Sequence, residues 1–366
     1  MDPPPEPAAA IAAGWAATLS QNLLHAETSP VAGPLERLVI GWLAPLFGQD
    51  GGHLVPGSTV ANLTALWAAR EAGCTSVAAS PAAHHSIAKA AHLLGLTLHM
   101  LPVDASAGVV AHESVFDGVA DPSRCALVLT AGVTSTGLID PLHLFEGRGG
   151  QAFGWRHCDA AWGGPIRLGR HGGRLDGIDA ADSISMSGHK WLFQPRGSAV
   201  VMFRDTPSAH ASLTGLPAEG NPAGYLRQAN FGVLGSRPDL AMPLAATLLA
   251  QGREGVGGAV DTCLEIGADL MDRLASSRDW LLWPGHAAEP ERHTGVILFR
   301  HREHDPDSCA ASLDPSLVSR TPIPGQADSQ PWLRHVISHP ETDAVEIIGR
   351  LNRQLVQRGG RPAGPA

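Results

Sequence analysis

Four short stretches carry the side chains most able to act on a bound small molecule. In SGHKWLFQPRG, Lys190 closes an apolar strand between His189 and Trp191; an exposed strand-end lysine is the plain alternative, because lysine is rarely buried. In HCDAAWGGP, Asp159 ends a second apolar strand. This sets a carboxylate at the carboxyl edge of a sheet, where α/β proteins bind ligands. The same aspartate could cap the following turn, although the small Ala160 and Ala161 favour something flat lying against the backbone. In GSTVANL, Gly57, Ser58 and Thr59 open a helix whose first amides and hydroxyls suit a phosphate; ligand-free capping is the commoner use of such residues. In AAHHSIAKA, His84 and His85 stand just before another helix, as a cap, as a solvated pair, or as an imidazole plate beside a ligand.

The elements that must position these groups follow from the hydrophobic pattern. VPGSTVANLTALWAAREAG leaves its turn as a helix with Leu63, Leu66 and Trp67 on one face, and SIAKAAHLLG is a second helix closed by Gly95. CTSVAAS, LTLHMLPV, CALVLTAG, AFGWRHCDA, DSISMSG and SAVVMFR read as strands. Their alternation with helices predicts an α/β fold, a mostly parallel sheet covered on both faces. Residues 205–235 lack a clear period and predict a long loop, functional or disordered, with a helix starting near Pro238. Beyond Gly258 a smaller α+β unit is expected: a helix to Ser277, strands in TGVILFRH and LRHVISHP, and a last helix in TDAVEIIGRLNRQLVQR before a frayed GGRPAGPA tail. The expected organisation is an N-terminal arm and helix over 1–33, a large domain over 34–257 and a small domain over 258–366. The arm should hold an amphipathic helix within residues 8–24, after a disordered tip.

Composition narrows the classes. In 366 residues, 44% are hydrophobic and 17% charged, which excludes general disorder. A net charge of −9 without a basic run argues against nucleic acid as a partner. The opening MDPPPEP lacks the basic start of a signal peptide, and Ser20, Gln21 and Asn22 spoil a membrane helix. Five widely spaced cysteines without a CxxC pair point to reduced thiols and a cytoplasmic location. His301, His304 and Asp305 read as a solvated loop, so no metal is expected. Tyr225 stands out as the single tyrosine.

Order and spacing join the four stretches. Together they resemble the group II decarboxylases, pyridoxal-phosphate enzymes of the aspartate-aminotransferase fold, also called fold type I. QNLLHAETSPVAGPLE, TAGVTSTGLIDPL, LGSRPDLAMPL and LRHVISHPETDAVEIIGRL are similar to further family segments, so the resemblance covers residues 13–357. It implies decarboxylation of an L-amino acid to its amine through an external aldimine and a quinonoid. Lys190 would hold pyridoxal 5'-phosphate as a Schiff base, and Asp159 would pair with the pyridine nitrogen. His84 and Ala161 would lie on the two faces of the ring. Ser58, Thr59 and His189 would contact the phosphate, with Thr134 nearby. Arg334 and His25 would bind substrate, and Tyr225 would protonate the carbanion. The family also implies a homodimer with shared active sites.

The sequence departs from the family pattern in places. Val133 stands where the family has threonine, so one polar contact near the cofactor is lost or moved to Thr134. The N-terminal segment and the loop over 205–235 are shorter than usual, and Tyr225 lies at an unusual offset from Arg237. A surface tyrosine is therefore the alternative for Tyr225, and an ion pair with Glu341 or Asp343 is the alternative for Arg334. HKWLFQP is similar to the diaminobutyrate branch and HVISHP to the glutamate branch. An aminotransferase, a lyase, a decarboxylation-dependent oxidase and an inactive cofactor-binding protein are the competing readings.

Overall fold

The computed structural model describes residues 2–104, 108–110, 112–214, 231–323 and 330–359. Its large sheet comprises β1 (Gly51–Val55), β2 (Ser76–Ala79), β3 (Thr97–Met100), β4 (Cys125–Thr130), β5 (Trp155–Asp159), β6 (Ser183–Ser187) and β7 (Ala199–Phe203). The order is β1-β7-β6-β5-β4-β2-β3. Strands β3, β2, β4, β5 and β6 are parallel, and β7 runs antiparallel between β6 and β1. Every residue of β4, β6 and β7 is buried, as expected of strands covered on both faces.

The helices are α1 (Pro7–Leu19), α2 (Ala32–Leu43), α3 (Ser58–Glu71), α4 (His85–Leu94), α5 (Arg148–Gln151), α6 (Thr206–Ser212), α7 (Ala241–Ala275), α8 (Pro284–Ala288), α9 (Pro306–Ser312) and α10 (Ala344–Gly359). A second, antiparallel sheet has the order β10-β11-β9-β8, from β8 (Trp280–Leu282), β9 (Val296–His301), β10 (Ser319–Thr321) and β11 (Trp332–Val336). The expected division at 257/258 falls inside α7, which runs for 35 residues and kinks where Gly252 adopts φ 63°. One buried cluster joins Leu127 of the large sheet, Leu264 of α7 and Phe299 of the small sheet.

Several local expectations need correction. The helix expected near Pro238 begins at Ala241, because the Asp239 carboxylate accepts the amides of Ala241 and Met242, each at 3.0 Å. The expected loop over 205–235 opens with α6, which Asp205 caps by accepting the Ser208 amide at 3.1 Å. Residues 2–6 are not a loose tip: the Glu6 amide donates to the Phe193 carbonyl at 2.8 Å, and Arg196 pairs with Asp2 at 2.7 Å. Helix α1 buries Ala9, Ala12 and Ala16, and its larger apolar residues Ile11, Trp15 and Leu19 face outward. Strands β1, β8 and β10 give little signal in the sequence: β8 and β10 are three residues long, and β1 opens on two glycines. Among the described residues no helix is long and apolar enough to cross a membrane. No group of metal-ligating side chains occurs among them either.

Candidate functional site

A cleft of about 230 Å³ opens at the carboxyl edge of β4, β5 and β6. Eight of the expected residues line it: Ser58, Thr59, His84, Thr134, Asp159, Ala161, His189 and Lys190. Parallel strands explain the convergence, since their carboxyl ends all face the same way and their loops meet above the edge.

Helix α3 presents its N-terminus to the cleft. Gly57 precedes it at φ 100°, a conformation open to glycine, and no side chain caps the helix. The first amides are thus left for a ligand, and the buried Ser58 hydroxyl has no hydrogen-bond partner among the described residues. The Ser135 hydroxyl is buried in the same unpartnered way. His84, which also lines the cleft, caps α4 through Nδ1, which accepts the Ser86 amide at 3.2 Å. Burial lowers the His84 pKa, with Asp159 acting against that shift.

Asp159 is 2% exposed at the end of β5. It accepts from Asn62 Nδ2 at 2.9 Å and from the Ala161 amide at 3.1 Å. Lys190 follows β6 in a tight turn where the Phe193 amide donates to the Lys190 carbonyl at 3.0 Å and Phe193 takes φ 52°. Burial lowers the Lys190 pKa; Asp159 opposes this and Arg334 adds to it. His189 is held through Nδ1 by the Ser198 carbonyl at 3.1 Å, and burial lowers its pKa too.

The remaining expected residues lie elsewhere. Arg334, on β11, adjoins the cleft: its Nη1 donates to the Thr134 carbonyl at 2.8 Å, and its buried Nε is without a partner among the described residues. No ion pair joins it to Glu341 or Asp343 among those residues, so the electrostatic alternative finds no contact. His25 sits in the N-terminal segment away from the cleft, its carbonyl accepting from Ser29 Oγ at 2.7 Å. Tyr225 falls in 215–230, outside the described residues. Val133 is fully buried in a satellite apolar cluster, which leaves Thr134 to face the cleft.

Two features escaped the sequence reading. Asn62 lines the cleft floor, fully buried, one helical turn after Ser58; a lone amide among apolar positions was the available signal. Arg237 is 5% exposed and grips Glu36 with two nitrogens, at 2.9 and 3.2 Å. That buried pair fastens α2 to the chain just after residue 231.

Residues 6–302 match the family model described as the pyridoxal-dependent decarboxylase conserved domain. The chain belongs to this family. Among relatives, it is 32% identical over 312 residues to the L-2,4-diaminobutyrate decarboxylase of Rhizobium meliloti, covering 77% of this chain and 60% of that protein. It is 29% identical over 345 residues to the aspartate 1-decarboxylase of Aliivibrio fischeri, covering 81% and 61%. The chain thus spans about 60% of the length of these curated relatives. The crystal structure of Catharanthus roseus tryptophan decarboxylase with L-tryptophan superposes with a TM-score of 0.82 at 19% identity, over 97% of this chain and 82% of that one. This likeness establishes fold type I.

The family's cofactor is pyridoxal phosphate, and the donor set fits it. An uncapped helix end and an orphaned buried hydroxyl suit a phosphate. A buried carboxylate suits a ring nitrogen, and a desolvated amine at Lys190 suits an aldehyde carbon.

Proposed function

We propose that this decarboxylase-family chain releases carbon dioxide from an L-amino acid and leaves the corresponding primary amine. The observation that carries the reading is the convergence of eight residues from five separate segments on one cleft. When bound, pyridoxal phosphate supplies the sink for the electron pair released from the Cα–carboxylate bond.

The chain's own residues supply the rest. Lys190 anchors the cofactor through Nζ, and its lowered pKa raises the fraction of neutral, nucleophilic amine. Asp159 would accept a hydrogen bond from the protonated ring nitrogen and keep it protonated. His84 and Ala161 would bracket the ring, while the α3 amides, Ser58, Thr59 and His189 would hold the phosphate. Thr134 orders the rim through its carbonyl contact with Arg334. Arg334 offers its remaining donors to a substrate carboxylate, and a planar fork suits two parallel bonds. Tyr225 returns a proton to Cα, and His84 is the second group in reach of that task.

We further propose a homodimer with shared sites, in which His25 reaches the partner's cleft. Ile11, Trp15 and Leu19 recur every four residues on α1 at 66%, 62% and 52% exposure, with Leu38 and Trp42 repeating the spacing on α2. Such an apolar stripe is costly in water and suits a second copy. The unpaired cysteines suit a reducing, cytoplasmic setting.

The test is a panel of common L-amino acids with purified protein and cofactor, following carbon dioxide, keto acid and peroxide separately. Carbon dioxide and amine in equal amounts, with no keto acid or peroxide, is the expected result. Keto acid alone would make the chain an aminotransferase, and peroxide an oxidase.

A further inference from the structure

A single amide ties together two groups that line the cleft. Asn62 is fully buried on α3, and all four of its hydrogen-bonding positions are used. Its Nδ2 donates to Asp159 Oδ2 at 2.9 Å and to Ser86 Oγ at 2.8 Å. Its Oδ1 accepts from Ser185 Oγ at 2.5 Å and from His157 Nε2 at 3.1 Å. The amide has one allowed orientation, since the reverse would press its oxygen against the Asp159 carboxylate.

The direction of every bond in the network then follows from its ends. Trp155 Nε1 can only donate, and it donates to Ser183 Oγ at 2.8 Å. Because Asn62 Oδ1 can only accept, the ring proton of neutral His157 sits on Nε2, and Nδ1 accepts from Ser183 Oγ at 2.9 Å with the Ser183 carbonyl beside it at 3.2 Å. Burial holds His157 neutral, with a pKa lowered to about 4, consistent with that single ring proton. From Asn62 one branch ends on the Asp159 carboxylate, which only accepts. The other passes through Ser86 Oγ to His84 Nδ1 at 2.8 Å, and Nδ1 also accepts the Ser86 amide. With two donors on Nδ1, the proton of neutral His84 must lie on Nε2.

We infer that Asn62 is a positioning residue that holds the Asp159 carboxylate in its acceptor orientation and supports, through Ser86 Oγ, the Nε2–H form of His84 that the Ser86 amide also selects. The inference rests on the cofactor-binding reading above and deepens it. Asp159 is 2% exposed, and without Asn62 its remaining protein donors are the Ala161 amide at 3.1 Å and the longer Ser185 Oγ contact at 3.4 Å. Ser86 would also lose the bond that turns its hydroxyl proton toward His84.

Three variants test this against a purely structural role. Asn62→Leu keeps the approximate volume and removes all four contacts. Asn62→Asp keeps the shape and sets a second carboxylate against Asp159. Ser86→Ala cuts only the branch to His84 and changes little volume, so it serves even if the Asn62 variants do not fold. Pyridoxal phosphate affinity and its visible absorption are measured by titration, and the His84 tautomer by ¹⁵N chemical shifts in the cofactor-free protein. Both Asn62 variants should weaken cofactor affinity about tenfold or more, the expected loss for a hydrogen bond to a charged group. Ser86→Ala should leave affinity within about threefold, as a neutral contact is lost and the bond from Asn62 to Asp159 stays in place, and His84 should keep its Nε2–H tautomer through the backbone amide of residue 86. Folded Asn62 variants with wild-type affinity and absorption would overturn the inference, as would a loss of affinity in Ser86→Ala equal to that of the Asn62 variants. Failure of the wild-type chain to bind pyridoxal phosphate would overturn the underlying reading as well. A wild-type that binds beside unaffected variants would overturn the positioning role alone.

Discussion

The floor and the rim of the cleft differ in how their polar atoms are satisfied. On the floor, Asn62, Ser86, His157, Asp159, Ser183 and Ser185 are buried and bonded to one another. At the rim, Ser58 Oγ and Arg334 Nε are buried with no partner among the described residues. An unmade bond to a buried polar group costs about 1–3 kcal/mol, so a fold retains few such atoms without a use. The contrast separates groups that the protein holds in place from groups whose partner is a ligand. Floor variants should therefore disturb both fold and binding, and rim variants binding alone.

The largest expected effect lies between these two regions. Lys190→Ala should lower turnover by at least about a thousandfold, since the covalent anchor and a nearby base are both lost. A borohydride-reducible link surviving in this variant would show that another amine does the anchoring. Next, Asp159→Asn changes the floor with almost no change in shape. It should cost roughly a hundredfold in turnover and also lower the melting temperature, because an amide nitrogen would then face the Ala161 amide or Asn62 Nδ2. Near-native turnover would reduce Asp159 to a turn cap.

Acid should attack the floor through His157. Its folded pKa is about 4 against about 6.5 unfolded, so its contribution is whole above about pH 6.5 and is lost as pH falls toward 4. Between pH 7 and pH 5 this amounts to about 2 kcal/mol, measurable as the difference between denaturant titrations of the wild type and His157→Gln.

The rim variants sharpen the contrast with smaller effects. Arg334→Lys should raise KM or lower kcat about tenfold, with an unchanged melting temperature. A lower melting temperature with unchanged kinetics would make Arg334 a structural brace for the Thr134 carbonyl. Ser58→Ala removes a hydroxyl that has no protein partner. Cofactor affinity should fall about threefold to tenfold, with stability equal or slightly higher. A clear loss of stability would place Ser58 with the floor.

Much of this contrast was legible in the sequence, and unevenly so. Strand ends were readable at Asp159 and Lys190 because an apolar run stopping at a charged residue leaves a visible boundary. The order of cradle, imidazole, carboxylate and lysine carried the family. The floor was less legible. Asn62 looks like one more polar residue in a helix, and only the register of β5 against β6, Asp159 opposite Ser185, shows what it faces. Ser183, Ser185 and Ser187 at alternate positions of β6 are all fully buried, which the bonds of Ser183 and Ser185 to the floor network make possible. Helix α1 was read as amphipathic without its sense: its alanines face α7, allowing close approach, and its large residues face out. Helix and strand limits failed where a capping aspartate outweighed a proline, as at Asp239.

All five cysteines lie below the surface, and burial raises their pKa values, to about 12 for Cys74 and Cys263 and about 11 for Cys309. At pH 8 such a thiol is almost wholly protonated, whereas an exposed one near 8.5 is roughly a quarter ionised. The native chain is therefore nearly silent to maleimide and iodoacetamide reagents while folded. A single cysteine introduced at Leu38 or Trp15 would become the one addressable position, and a fluorophore there could count and locate a second copy without first stripping the protein of its own thiols.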